Sequence, residues 1–184
     1  MPKNKPPHKQ YPRHSDALAE HRGWLARAEK VALLPFNQGG STHPTVKVGA
    51  VLVDKDGHEI AAAANRFAHG LDRRRPERYK NGSKSLWVNC AEQMAVARAA
   101  RLGVPLNEAR LYVTLEPCAV CAGLLAELHI KQVFVPVGAM RRYAKLKSKW
   151  KQSIEVGLIK LAEAGITLTS IDTNTVPSGR RTKR

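Results

Sequence analysis

The sequence predicts an α/β protein, a three-layer α/β/α sandwich around a mixed five-stranded sheet. Three observations carry this. Strand-length apolar runs alternate with helix-period segments over most of the chain. The first two strands are joined by a short turn signal, while the later ones are separated by helices, so the sheet mixes antiparallel and parallel pairs. With 184 residues, 43% of them hydrophobic, one domain with a full core is expected.

Each element has its own signal. Asp16 to Leu34 reads as a helix, with Leu18, Leu25, Ala28 and Ala32 recurring at helical spacing and Pro35 ending it. Residues 37–44 are a Gly/Ser/Thr loop. Val46 to Val53 is a near-continuous apolar strand, Asp56-Gly57 a hairpin turn, and Ile60 to Asn65 the returning strand. Residues 66–89 are long and polar, with cations at Arg73, Arg74, Arg75, Arg78 and Lys80; a loop of that length is functional or mobile. Cys90 to Leu102 is an Ala-rich helix with Gly103 as its C-cap. Arg110 to Leu115 is a strand, Cys118 to Leu128 a helix, and Gln132 to Val137 a strand. Ser148 to Ala164 is an amphipathic helix with Ile154, Leu158, Leu161 and Ala162 on one face. Ile166 to Ile171 is the last strand.

The net charge is +16. Residues 1–14 carry Lys3, Lys5, Lys9 and Arg13 without an acid, and residues 173–184 carry Arg180, Arg181, Lys183 and Arg184 without one. The expected organisation is a basic disordered tail over 1–15, a folded domain over 16–172 and a second basic disordered tail over 173–184. Such tails are solvated ends, or they attract nucleic acid. Apolar runs such as Val48 to Val53 are far too short to span a bilayer, and no signal-peptide stretch follows the basic start. A soluble, cytoplasmic protein without a membrane partner is the expectation.

The chemistry lies in two fragments, Cys90-Ala91-Glu92 and Pro117-Cys118-Ala119-Val120-Cys121. They hold all three cysteines, too few for a disulfide framework. Each fragment opens a predicted helix, where the dipole favours the thiolate that zinc binds. Cys118 and Cys121 share one helix face. Three thiolates leave one zinc position open, the mark of a catalytic site. Glu92, two residues past Cys90, is placed to move a proton without being a ligand. A Cys or His followed by this Glu, then Pro-Cys-x-x-Cys, is the signature of zinc-dependent base deaminases.

On these residues the chain resembles the cytidine and deoxycytidylate deaminase superfamily over roughly residues 16–171, nearest the deoxycytidylate branch. Lys47 to Val53 is similar to the family's first strand, and Asn65-Arg66-Phe67-Ala68-His69-Gly70 to its substrate loop. Pro76-Glu77-Arg78 and Trp87-Val88-Asn89 are similar to the long insertion of the deoxycytidylate branch, and Trp150 to Gly165 to its last helix. The resemblance implies a cytidine deaminase-like fold and a zinc ion on Cys90, Cys118 and Cys121, with Glu92 as proton shuttle. It implies that Asn65 and the Ala91 backbone N–H orient the substrate, with Arg66 and Phe67 beside them. Phe67 has two uses, stacking on a base or packing. The implied reaction is hydrolysis of a cytosine nucleotide or nucleoside, dCMP-like, to the uracil product and ammonia, in a homo-oligomer between dimer and hexamer.

Departures keep two alternatives open. The branch usually has His where Cys90 stands, and often an Arg-Asp pair where Thr42 and His43 stand; Ala68 replaces the proline of the substrate loop. Thr114-Leu115-Glu116-Pro117-Cys118 is more similar to tRNA adenosine and purine-base deaminases. A tRNA adenosine or free purine-base deaminase is therefore the first alternative. The second is a non-catalytic zinc-stabilised nucleic-acid-binding module, against which Glu92 argues. If the substrate carries a phosphate, Arg66, His69 and the Arg73 to Lys80 cluster are the nearest cations in sequence, on an insertion expected to fold over the open metal position. Trp24, Trp87 and Trp150 are expected in the core. The cations from Arg141 to Lys151 are a solvated helix entry or an anion-binding surface.

Overall fold

In the computed structural model, residues 14–80, 83–142 and 148–174 are described. The chain opens with α1 (His14–Leu33), which buries Leu25, Ala28, Val31 and Ala32. Residues 14 and 15 thus belong to a helix and not to a tail; the rest of the first tail, and all of the second beyond Asn174, lies outside the described residues. Strand β1 (Gly49–Val53) pairs antiparallel with β2 (Glu59–Ala64) through a turn in which the Asp54 amide donates to the His58 carbonyl over 2.9 Å. Next come α3 (Ala91–Leu102), β5 (Arg110–Val113), α4 (Ala119–Glu127), β6 (Gln132–Pro136), α6 (Ser148–Glu163) and β7 (Thr167–Ile171). Between β2 and α3 lie two-residue strands β3 (Arg66–Phe67) and β4 (Val88–Asn89) and the short helix α2 (Lys84–Trp87); α5 (Ala139–Arg142) follows β6.

The main sheet has the order β2-β1-β5-β6-β7. β1 is antiparallel to both neighbours, whereas β5, β6 and β7 run parallel. This is the expected mixed five-stranded sheet. Strand alternation sorts the core into two layers. Val51, Val53, Tyr112 and Phe134 face α1, while Ala50, Leu52, Leu111, Val113, Val133 and Val135 face α3, α4 and α6. Alanines at 61, 63, 95 and 99 let α3 lie close to the sheet. Gly49 does the same for α1, since a Cβ there would stand 1.9 Å from the Ala28 carbonyl oxygen.

Three expectations need correction. β1 starts at Gly49, not Val46, because the backbone of Val46 and Val48 bonds the Asn65 side chain instead of a ladder. The polar segment 66–89 is not an open loop, for Arg66 pairs with Asn89 and Phe67 with Val88 in a separate two-stranded sheet. The buried stripe of α6 is Ile154, Gly157 and Leu161; Leu158 and Ala162 are exposed. Trp24 and Trp150 pack on the two cores as expected, and Trp87 lies under the Arg78 guanidinium, 4.2 Å from its ring centre. Of the Arg141 to Lys151 stretch, residues 143–147 lie outside the described residues. Among the described residues no helix is long and apolar enough to cross a membrane.

One half-buried histidine gives the fold an expected pH dependence. The His21 ring stacks on Phe134 at 4.2 Å, and its Nδ1 lies 2.9 Å from the Tyr112 hydroxyl. Burial lowers its pKa below the ordinary 6.5, opposed by Glu20 and aided by Arg110. The unfolded chain therefore takes up this proton first as pH falls. Stability from neutral His21 is complete above about pH 6.5 and is lost below it, through the lower folded value. The expected result is that His21→Phe, which keeps the stack, flattens the fall of Tm between pH 7 and 5; an unchanged slope excludes His21 as the source.

Candidate active site

The end of β5 and the start of α3 bring the chemistry together. β5 is where the sheet changes direction, antiparallel to β1 and parallel to β6. Ligand sites of α/β sheets form at the carboxyl ends of strands beside such a switch. Thr114, just past β5, is locked there: its Oγ1 accepts from the Gly49 amide at 3.1 Å and its amide donates to the Gly49 carbonyl at 3.0 Å. From it the chain runs through Pro117 to Cys118, the N-cap of α4, with Cys121 in the first turn. Cys90 is the N-cap of α3, fixed by its amide donating to Gln93 Oε1 at 2.9 Å.

The three sulfurs lie within 4.8 Å of one another, and those of Cys90 and Cys118 are 3.9 Å apart. Tetrahedral zinc with bonds of about 2.3 Å needs sulfurs about 3.8 Å apart, so the spacing fits. The protonation balance fits too. Bonds from Cys121 and Cys90 to the Cys118 sulfur hold its thiol well below the ordinary value. Cys90 and Cys121 are each pushed up, first by that same bond with Cys118. A divalent ion at the centre of the cluster would reverse that upward push and favour the deprotonated form of all three.

Glu92, in the first turn of α3, is 4% exposed beside these sulfurs. Burial pushes its carboxyl up to about 8. Asn65 is also buried and its amide is clamped. Oδ1 accepts from the Val48 amide at 2.9 Å and the Ser41 hydroxyl at 2.6 Å, while Nδ2 donates to the Val46 carbonyl at 2.9 Å. One Nδ2 hydrogen is left to offer. The Ala91 amide is in the first turn of α3, where N–H groups have no intrahelical acceptor. Phe67 is 3% exposed and packs its ring 5.7 Å from Tyr79, which is the packing use of the two considered. Arg66, its neighbour, points toward Phe36, 5.0 Å from the ring centre.

The insertion divides its cations. Arg74 and Arg75 pair with Asp72, and Arg78 donates to the Asp72 carbonyl oxygen and covers Trp87. Only Arg73 among these three-in-a-row arginines turns to Phe36, 3.4 Å from its ring centre.

The sequence reading missed a brace. Helix α6 holds the start of α4 through Ser153, whose Oγ accepts from the Ala119 amide at 3.3 Å, and Lys160, whose Nζ donates to the Ala119 carbonyl at 3.2 Å. Between them lies Gly157, where a Cβ would stand 2.3 Å from the Pro117 carbonyl oxygen and 3.0 Å from the Cys118 carbonyl carbon. An isolated glycine inside an amphipathic helix, costing ~1 kcal/mol against alanine, was the available signal. Gly157→Ala is expected to displace Cys118, lowering zinc retained after dialysis and lowering Tm despite the better helix former, since overpacking costs about 1–3 kcal/mol. Gly123→Ala in α4, whose Cβ would meet only Lys160 Nζ at 3.7 Å, is the control and keeps both. Equal behaviour of the two variants would remove the brace.

Comparison with known proteins bears on the family and the fold. The family model described as the cytidine and deoxycytidylate deaminase zinc-binding region matches residues 22–137. A Caenorhabditis elegans protein named a probable deoxycytidylate deaminase is 31% identical over 120 residues, which is 64% of this chain and 57% of that one. A tRNA-specific adenosine deaminase of Rickettsia bellii (strain RML369-C) is 33% identical over 92 residues, 48% of this chain and 54% of that one. The chain thus spans only a little over half the length of these curated relatives. Among solved structures, dCMP deaminase from the cyanophage S-TIM5 in complex with dCMP and dUMP superposes with a TM-score of 0.58 at 23% identity, over 80% of this chain and 93% of that one. That likeness is one of fold.

Proposed function

The chain belongs to the cytidine and deoxycytidylate deaminase family, and on that premise we propose that it hydrolyses a cytosine nucleotide or nucleoside to the uracil product and ammonia. The observation that carries this is the buried Glu92 carboxyl beside three clustered thiols, two of them from one helix start and one from another. Cys90, Cys118 and Cys121 would hold zinc, and a zinc ion there would supply Lewis-acid activation of water. Glu92 would take one proton from the water and deliver it to the ring nitrogen N3, then carry the second, from the oxygen now on C4, to the departing amine. The carbon–nitrogen bond at C4 breaks, and water's oxygen becomes the new carbonyl. The Ala91 amide and the remaining Asn65 Nδ2 hydrogen orient the base.

A second reading, a tRNA adenosine or purine-base deaminase, is favoured by the Thr114 to Cys118 junction and by the Rickettsia relative. A homo-oligomer suits the surface: Val120 of α4 and Val156 and Ile159 of α6 are exposed apolar side chains on two packed helices. The test is ammonia release from dCMP, deoxycytidine, cytosine, adenosine, guanine and a tRNA anticodon stem-loop. Release from a cytosine compound supports the first reading. Release from the stem-loop or guanine alone replaces it with the second, and none from any would leave a non-catalytic zinc module.

A further inference from the structure

Three guanidinium groups converge on one turn. Arg73 and Arg66 both lie over Phe36, and a Cβ built on Gly39 would stand 3.5 Å from Arg98 Nη2 and 3.7 Å from Arg66 Nη1. The three come from the β3 strand, the insertion and helix α3. Arg98 is oriented by its Nη1 donating to the Ala62 carbonyl on the edge strand β2. None of the three has an acidic partner among the described residues, whereas the neighbouring Arg74 and Arg75 both use Asp72. Burial, then the charges of Arg98 and Arg73, hold the Arg66 guanidinium below its usual value, as expected of like charges gathered without an anion.

The place ties this cluster to the metal centre. Arg66 sits opposite Asn89, the residue before Cys90, in the β3–β4 pair. Arg98 is eight residues past Cys90 on the same helix, about 12 Å along its axis at 1.5 Å per residue. The long arginine side chain covers part of that rise, and the separation of a nucleotide's base from its 5′-phosphate covers the rest. Arginine forks match phosphate oxygens bidentately. Three positive charges in one place match the two charges of a phosphate monoester better than the single charge of a phosphodiester.

We propose that Arg66, Arg73 and Arg98 form a phosphate-monoester site that takes the 5′-phosphate of the substrate nucleotide. This rests on the deaminase reading and narrows it to nucleotides over nucleosides and free bases. It also answers the absence of a cation at Thr42 and His43, with a third residue, Arg98, that lies far from the others in sequence.

The test is calorimetric, on the zinc-loaded full chain, with inorganic phosphate, dUMP and deoxyuridine as probes that are not turned over. Inorganic phosphate should bind. dUMP should bind about 10- to 150-fold tighter than deoxyuridine, the range for a charge-assisted contact. Phosphate should compete with dUMP. Arg73→Gln and Arg98→Gln should remove most of the dUMP advantage and weaken dUMP far more than deoxyuridine. Arg73 is exposed, so its variant should fold; Arg73→Lys, which keeps charge but not the fork, should fall between. Phosphate bound equally by the variants would overturn the site. Phosphate bound without competing against dUMP would overturn the substrate assignment, as would binding of an RNA stem-loop that phosphate does not displace. If phosphate binds and the variants lose it while neither pyrimidine compound binds, the site stands and the cytosine reading falls.

Discussion

Replacing Glu92 with Gln is expected to leave zinc bound and to lower turnover by at least ~100-fold, the low end for loss of a general acid–base group. Gln has the same size and still hydrogen-bonds, but it cannot accept and return a proton. The site is buried and Glu92 is not among the three sulfur ligands, so the metal has no reason to leave. Elemental analysis and steady-state rates on the same preparation check both halves. Near-normal turnover would end the shuttle assignment; loss of zinc together with activity would make Glu92 a part of the metal cage instead.

Cys118→Ala is expected to take zinc from about one per chain to near none and to destabilise the fold with it. Metal that binds only the folded chain stabilises it by about 2.7 kcal/mol when free zinc is a hundredfold above its dissociation constant. For a domain of this size that corresponds to roughly 5–10 °C in Tm. A chelator added to the unaltered protein should produce a similar drop and should do nothing further to the variant. Cys118 is the natural choice because it caps α4 and lies against Gly157 of the bracing helix. Stoichiometric zinc in the variant would show that the cluster is not the metal site.

The metal cluster and the sheet were legible because each follows from local spacing. Cys118 and Cys121 share a helix start, Cys90 caps another, and strand alternation in Val51, Leu52 and Val53 divides the two core layers. What stayed hidden depends on partners distant in sequence. Two-residue strands such as Arg66–Phe67 and Val88–Asn89 are too short to show a period. Val46 to Val48 has strand composition, but its backbone is claimed by the Asn65 amide. The run Arg73-Arg74-Arg75 looks uniform, yet Asp72 engages two of the three. Arg98 reads as an ordinary helix-surface cation until the fold places it beside Gly39.

The β3–β4 pair also bears on how this chain can change over evolutionary time. It ties off residues 68–87 at their base, so that the excursion leaves and re-enters the domain through one small clasp directly before Cys90. Lengthening a flexible loop whose ends are already joined is cheap, ~0.6 kcal/mol for each doubling of its length. Selection can therefore rewrite the excursion, and with it Arg73 and its neighbours, while the thiols and Glu92 keep their positions. Substrate preference and metal chemistry become separately heritable. One scaffold can then vary its excursion while the thiol cluster and Glu92 stay where they are.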